Sequence, residues 1–90
     1  MKTIKNDFVI SLDDRWRLIC DDLQYMVQQR TTSNGKLTWI SYSFVATHKN
    51  ILYQVFKSHD IQLTDEAKSK IDALPETFQE FWKEFSESSN

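Results

Sequence analysis

The sequence predicts an α+β fold, in which a four-stranded antiparallel β-meander is followed by two or three α-helices, one of them packed on the sheet. Three observations predict this fold. Segments that alternate apolar with polar residues, rich in aromatic and β-branched side chains, fill the first half of the chain. Between two of them stands Asn34-Gly35, typical of a type I′ hairpin turn, in which both central residues need positive φ. Apolar residues at helical spacing follow.

The composition favours one domain over residues 1–90. The chain is 40% hydrophobic and 13% aromatic, with one Gly and one Pro, which is too apolar for a disordered protein and leaves little room for long loops. The net charge of −2 gives no general reason to expect a nucleic acid or a membrane as partner. Cys20 is the only cysteine, and the first residues lack the apolar run of a signal peptide. We therefore expect a cytoplasmic protein.

The central hairpin fixes a register for the last two strands. A two-residue loop places Tyr25 opposite Phe44 and Val27 opposite Tyr42. Aromatic and β-branched residues then meet on one face, as cross-strand stabilisation favours.

Two earlier strands complete a sheet over about residues 7–45. They are Asp7–Leu12 and Arg15–Cys20, each followed by a two-residue turn made of paired aspartates. These turns put Val9 opposite Leu18, and Leu18 opposite Tyr25. With the first helix, the predicted core comprises Trp16, Leu18, Tyr25, Val27, Tyr42, Phe44, Leu52 and Phe56.

The first helix is predicted over about 47–59. Thr47 is its expected N-cap, because a hydroxyl there accepts hydrogen bonds from the first backbone amides. Apolar residues then recur at helical spacing, so this helix can cover the aromatic face of the sheet.

Further helical structure is predicted over about 64–85, with Thr64 as N-cap. Pro75 interrupts it, because proline lacks an amide hydrogen and its ring crowds the preceding turn. Either one helix is kinked there, or a separate helix begins at Pro75. The tail 86–90 is expected to fray.

An aromatic stripe lies in the last helical segment at helical spacing. Such a stripe belongs to the core of one chain or to an interface between two chains. Its residues are Phe78, Phe81, Trp82 and Phe85.

The sequence offers no pattern typical of catalysis or of metal and cofactor binding. His48 and His59 are too far apart along one helix to share a zinc site, and one cysteine does not complete a set. The paired aspartates are explained by turns, because Asp side chains accept from neighbouring amides. No Gly-rich loop is present to hold phosphate. We expect a protein that is not an enzyme and binds neither metal nor cofactor.

The opposite, outer face of the sheet is the candidate partner-binding surface. Trp39 stands opposite Arg30, where the two could form a cation–π pair of the kind enriched in binding hot spots. The predicted partner-binding residues are Met26, Gln28, Arg30 and Trp39. The same face is expected to carry Phe8, Ile10, Leu12, Arg15, Arg17 and Ile19, unless the C-terminal helix packs across its Phe8 end.

The order of these features resembles small uncharacterised proteins of phage and prophage genomes. An acid precedes an aromatic strand, and a Trp-bearing strand leads into a Thr-capped helix. The resemblance covers about residues 15–75 and is carried by Asp22, Tyr25, Trp39, Tyr42, Phe44 and Thr47. It implies a small accessory protein of phage or mobile-element origin.

Together these features predict a non-enzymatic protein-binding module, a phage-encoded inhibitor of a host defence nuclease of the anti-CRISPR kind. Its partner is expected to be a host protein or ribonucleoprotein complex in the host cytoplasm, with no direct contact to nucleic acid. One alternative is a nucleic-acid-binding phage accessory protein that uses Arg15, Arg17 and Arg30 with Trp16 or Trp39. Another is a homodimeric structural protein held by the aromatic stripe.

Overall fold

The structure is a computed structural model that describes residues 8–88 of the chain and the side chains of residues 8–86. Its four strands form one antiparallel sheet in the order β1-β2-β3-β4, and three helices follow. The predicted α+β fold is confirmed. The elements are β1 (Val9–Ser11), β2 (Trp16–Cys20), β3 (Tyr25–Ser33), β4 (Lys36–Val45), α1 (Lys49–Ser58), α2 (Asp65–Asp72) and α3 (Phe78–Ser88).

The hairpin between β3 and β4 turns at Asn34 and Gly35, as predicted. Both have positive φ, 52° and 78°, which is the conformation of a type I′ turn. The ladder then runs in the predicted register from Ser33↔Lys36 to Gln28↔Ser41.

A β-bulge interrupts this ladder after Ser41. Tyr42 has no register partner on β3, and the next pairs are Val27↔Ser43 and Met26↔Phe44. The predicted pairs of Tyr25 with Phe44 and of Val27 with Tyr42 are therefore wrong. An extra residue on one strand shifts all later pairs by one position.

The bulge decides which side chains of β4 are buried. Phe44 is 55% exposed, whereas Val45, now opposite Tyr25, is 3% exposed. Tyr42 is 49% exposed. The placement of both residues in the core was therefore wrong. Phe44 leaves the core because a one-residue shift exchanges the two faces of a strand. Tyr42 keeps the inner face, with its ring centroid 5.6 Å from that of Trp16, but lies half-exposed on the edge strand. The other six predicted core residues are buried.

The two aspartate turns are longer than predicted. Asp13 Oδ1 accepts hydrogen bonds from the amides of Arg15 and Trp16, at 2.8 and 2.9 Å. Asp21 Oδ1 accepts from Leu23 and Gln24, also at 2.8 and 2.9 Å. A carboxylate that bonds amides two and three residues on closes a wider turn than Asn-Gly does.

The wider turns change the register of the first two strands. Leu18 pairs with Val27 rather than Tyr25, a shift of two that keeps its face. Val9 pairs with Ile19 rather than Leu18, a shift of one that turns β1 over. Val9 is therefore 49% exposed, and Ile10 is buried.

Helix α1 begins later than predicted. Its N-cap residue is His48, which makes no side-chain capping bond, so the assignment of Thr47 as N-cap was wrong. The Thr47 carbonyl instead accepts from the amide of Phe78 at 2.7 Å, and the Lys49 amide donates to the Glu76 carbonyl at 2.9 Å. These bonds tie the start of α1 to the start of α3.

Two further helices follow, as one of the alternatives at Pro75 predicted. Thr64 caps α2 by accepting from the amide of Ala67 at 3.1 Å, which confirms its predicted role. Helix α3 begins after Pro75 with a capping box: Thr77 Oγ1 accepts from the Glu80 amide, and Glu80 Oε1 accepts from the Thr77 amide. Residues 86–88 of the predicted tail are helical, and 89–90 lie outside the described residues.

Tyr25 lies at the centre of the aromatic part of the core. Its ring centroid is 4.9 Å from that of Phe78 and 5.1 Å from that of Phe81. Phe78 and Phe81 are buried, and Trp82 and Phe85 are partly buried against the same cluster. Most of the aromatic stripe is therefore covered within a single chain.

Candidate protein-binding face

The outer face of the sheet carries an apolar row that crosses all four strands. The residues in direct register are Val9, Ile19, Met26 and Phe44, and opposed residues share a face. Val9 is 49% and Phe44 55% exposed, while Ile19 and Met26 are partly buried. Solvent-exposed apolar side chains that adjoin in this way are typical of interaction surfaces.

A polar row runs beside the apolar row. Arg17 Nε donates to Gln28 Oε1 at 2.8 Å, and Gln28 Nε2 donates to Ser41 Oγ at 2.9 Å. Gln28 thus connects side chains on three strands and is held in one orientation by both neighbours. Because this order exists before binding, little side-chain entropy remains to be lost there.

Trp39 joins the polar row through Arg17. The Arg17 guanidinium carbon lies 4.1 Å from the centroid of the indole, within the range of a cation–π contact. Desolvation by the surrounding sheet lowers the pKa of Arg17 from its ordinary value, but an arginine side chain stays protonated in proteins. The cation over Trp39 is therefore Arg17, although Arg30 is its register partner on β3.

The four predicted partner-binding residues share this face but have different surroundings. Met26 belongs to the apolar row and Gln28 to the polar row. Trp39 is partly buried beneath Arg17, and Arg30 is exposed. Arg17 was expected on this face, but its contact with Trp39 was not predicted. Phe44 was expected in the core, and its place on this face depends on the bulge.

Three residues expected on the outer face lie elsewhere. Ile10 is 4% and Leu12 0% exposed in the core. Phe8 packs on Phe81, with ring centroids 4.7 Å apart. The one-residue shift of β1 explains the change, and it agrees with the expected alternative that the C-terminal helix packs across this end.

The charge on the outer face is positive. Arg17 and Arg30 lie on it, and none of the residues that form its apolar and polar rows carries a carboxylate. A partner that presents an acid beside an apolar patch is complementary to this pattern.

The remaining polar side chains have structural surroundings. The His59 ring lies 5.1 Å from that of Trp16, and its Nε2 is 3.3 Å from Ser43 Oγ. Cys20 is fully buried, and burial beside Asp21 raises the pKa of its thiol to about 12. Residues 8–88 contain no group of three or more His, Cys, Asp or Glu that could hold a metal ion. No helix in this part of the chain has the length and apolarity needed to cross a bilayer.

Comparisons with known proteins return no relative. No protein-family model, no curated protein and no solved structure matches the chain. The resemblance to phage accessory proteins therefore stays a prediction.

Proposed function

We propose that this protein is a non-enzymatic protein-binding module that holds its partner on the outer sheet face. The observation that supports this proposal is the apolar row beside the contact between Arg17 and Trp39. The row consists of Val9, Ile19, Met26 and Phe44. Aromatic and arginine side chains next to an apolar patch are the composition of binding hot spots.

The nucleic-acid alternative is less well supported by the same face. The guanidinium of Arg17 is already engaged by Gln28 and Trp39, which leaves the exposed Arg15 and Arg30 of the three proposed phosphate ligands. Tight binding to nucleic acid usually needs several phosphate contacts. An exposed apolar row, by contrast, adds nothing to contacts with a phosphate backbone.

The narrower proposal concerns the partner. On the phage resemblance alone, we propose that it is a host defence nuclease or its ribonucleoprotein complex, blocked in the host cytoplasm in the manner of an anti-CRISPR protein. The experiment is direct: purified nuclease complexes are assayed for cleavage with and without the protein. Undiminished cleavage by every complex tested, at saturating protein, would count against this partner class.

The binding face is tested with matched variants. Phe44→Asp places a charge in the apolar row, and Leu23→Asp places one at a 69% exposed leucine outside it. Both positions are exposed, so both variants are expected to fold. Partner binding should be lost with Phe44→Asp and kept with Leu23→Asp, and Trp39→Ala should weaken it about thirtyfold. If the wild type and all three variants bind the partner equally well, the interface lies elsewhere. If treatment with nuclease abolishes binding of the partner, the nucleic-acid alternative is favoured.

A further inference from the structure

The two edges of the sheet differ in a way that bears on self-association. The edge strand β1 has three residues, and the Leu12 carbonyl just after it accepts from the Thr64 amide at 3.1 Å. The other edge strand, β4, has ten residues, and among residues 8–88 it pairs only with β3. A long edge strand presents a row of unpaired backbone amides and carbonyls, which is a template for pairing with another extended strand.

The hairpin turn determines which backbone groups of β4 face outward. In a two-residue hairpin the pair next to the turn, Ser33↔Lys36, is hydrogen-bonded, and bonded pairs then alternate with non-bonded pairs. The amides and carbonyls of Leu37, Trp39 and Ser41 therefore point to the open edge. The amide of Arg30, the partner of Trp39, donates to the Arg15 carbonyl at 2.7 Å, as this alternation requires.

Between Lys36 and the bulge at Tyr42, this edge lacks the features that keep edge strands apart. No charged residue and no proline occur from Leu37 to Val45, whereas natural edges commonly carry lysine, proline or an early bulge. The bulge at Tyr42 comes only after six regular residues. On the two faces of this stretch, Leu37 is 68% and Ile40 43% exposed.

We propose that β4 pairs edge to edge with β4 of a second copy of this chain, antiparallel and centred on Trp39. The three outward-facing residues are symmetric about Trp39, so Leu37 of each chain lies opposite Ser41 of the other. In this register Lys36 falls opposite Tyr42, and no two charges meet. The pairing joins two four-stranded sheets into one and places the two Trp39 side chains side by side on a continuous outer face.

We propose a second copy of this chain as the partner of the β4 edge because the edge is complementary to itself. A two-fold pairing uses all three outward amides and all three outward carbonyls of each chain, and it opposes an uncharged segment to an uncharged segment. The inference is independent of the proposed function, because it concerns the chain alone.

A charge pair tests both the edge and the register. In the double variant Leu37→Lys/Ser41→Lys, the lysine at position 37 of each chain lies opposite the lysine at position 41 of the other chain. In Leu37→Glu/Ser41→Lys, the same positions form opposite-charge pairs. Like charges directly opposed destabilise paired strands, so the first variant should raise the dimer Kd about tenfold or more and the second should restore association. Thr32→Lys/Ser33→Lys, on β3 of the same hairpin, is the control for added charge.

Sedimentation over a hundredfold range of concentration gives the result. We expect the wild-type chain, the Glu/Lys variant and the control to associate as concentration rises, and the Lys/Lys variant to stay closer to one chain. Circular dichroism verifies that each variant is folded. The proposal is overturned if the wild type keeps the mass of one chain throughout, or if the Lys/Lys variant associates as the wild type does.

Discussion

The Arg17 guanidinium carbon lies 4.1 Å from the centroid of the Trp39 ring, so that a cation on β2 reaches across β3 to an aromatic ring on β4. Beneath it, Gln28 accepts from Arg17 and donates to Ser41. This arrangement connects three strands through side chains as well as through the backbone. It fixes the shape of the outer face before any partner arrives.

The Arg17–Trp39 contact should be measurable as a coupling free energy. In a double-mutant cycle of Arg17→Ala and Trp39→Ala, we expect a coupling of about 0.5–1 kcal/mol in the free energy of unfolding. Urea denaturation provides the measurement. The same cycle with Arg30→Ala in place of Arg17→Ala is the control, and a coupling as large there would show that Arg30 supplies the cation.

The bulge predicts opposite outcomes at two adjacent residues. Val45→Ala removes buried apolar surface and should destabilise the protein by about 1–3 kcal/mol. Phe44→Ala removes a ring that is 55% exposed and should change the unfolding free energy by less than about 1 kcal/mol. Chemical denaturation of both variants decides the register. In a regular ladder without a bulge, Phe44 would be buried and Val45 exposed, so Phe44→Ala would be the more destabilising change.

The buried hydroxyl of Tyr25 predicts that its removal does not lower the stability of the protein. Among the described residues it has no hydrogen-bond partner, and a buried unpaired hydroxyl costs about 1–3 kcal/mol. Tyr25→Phe should therefore be neutral or stabilising in thermal unfolding. Tyr53→Phe is the comparison, because Tyr53 donates to the Asp72 carboxylate, and its loss should cost up to about 1 kcal/mol. A clear destabilisation by Tyr25→Phe would mean that its hydroxyl is paired.

Burial of Cys20 predicts a loss of stability at high pH. Its pKa is raised from 9.0 to about 12 in the folded chain, by desolvation first and by Asp21 second. Above pH 9 the unfolded chain releases this proton while the folded chain keeps it, so stability is complete below about pH 9 and falls as pH rises toward 12. Between pH 8 and 10.5, wild-type stability should fall more than that of Cys20→Ala.

Thiol chemistry provides an independent measurement on the same residue. Ellman's reagent at pH 8 should leave the folded chain unmodified and should label one thiol per chain in urea. Rapid labelling of the folded protein would contradict the burial of Cys20.

The fold was predictable because its signals are local. Asn34-Gly35 specifies a turn through φ alone, and Thr64 specifies a helix start through one hydroxyl. Alternation along β2 and β3 placed Trp16 and Val27 correctly, because a register shift of two leaves faces unchanged.

The wrong assignments of residues to the two faces of the sheet arose where a turn or a bulge shifts the register of a strand by one residue. Whether Asp13 closes a two-residue or a longer turn depends on which amides its carboxylate bonds, and this decided the face of Ile10. The bulge at Tyr42 depends on how Val45 and Phe44 compete for one buried position next to Tyr25. The sequence placed Ile19, Met26, Gln28 and Trp39 on the outer face, whereas Phe44 lies there only because of the bulge.

The unpaired Tyr42 also bears on which changes of length this chain can accept. β4 contains one residue more than its ladder with β3 uses. If Tyr42 were deleted, Ser43, Phe44 and Val45 would keep their partners and a regular strand would result. Deletion of a paired residue earlier in β4 would also restore a regular ladder from Ser43 onward, but the residues between the deletion and Ser43 would turn to the other face. The position of Tyr42 is therefore the one place on β4 where a residue can be lost while every other residue of the strand keeps its partner and its face.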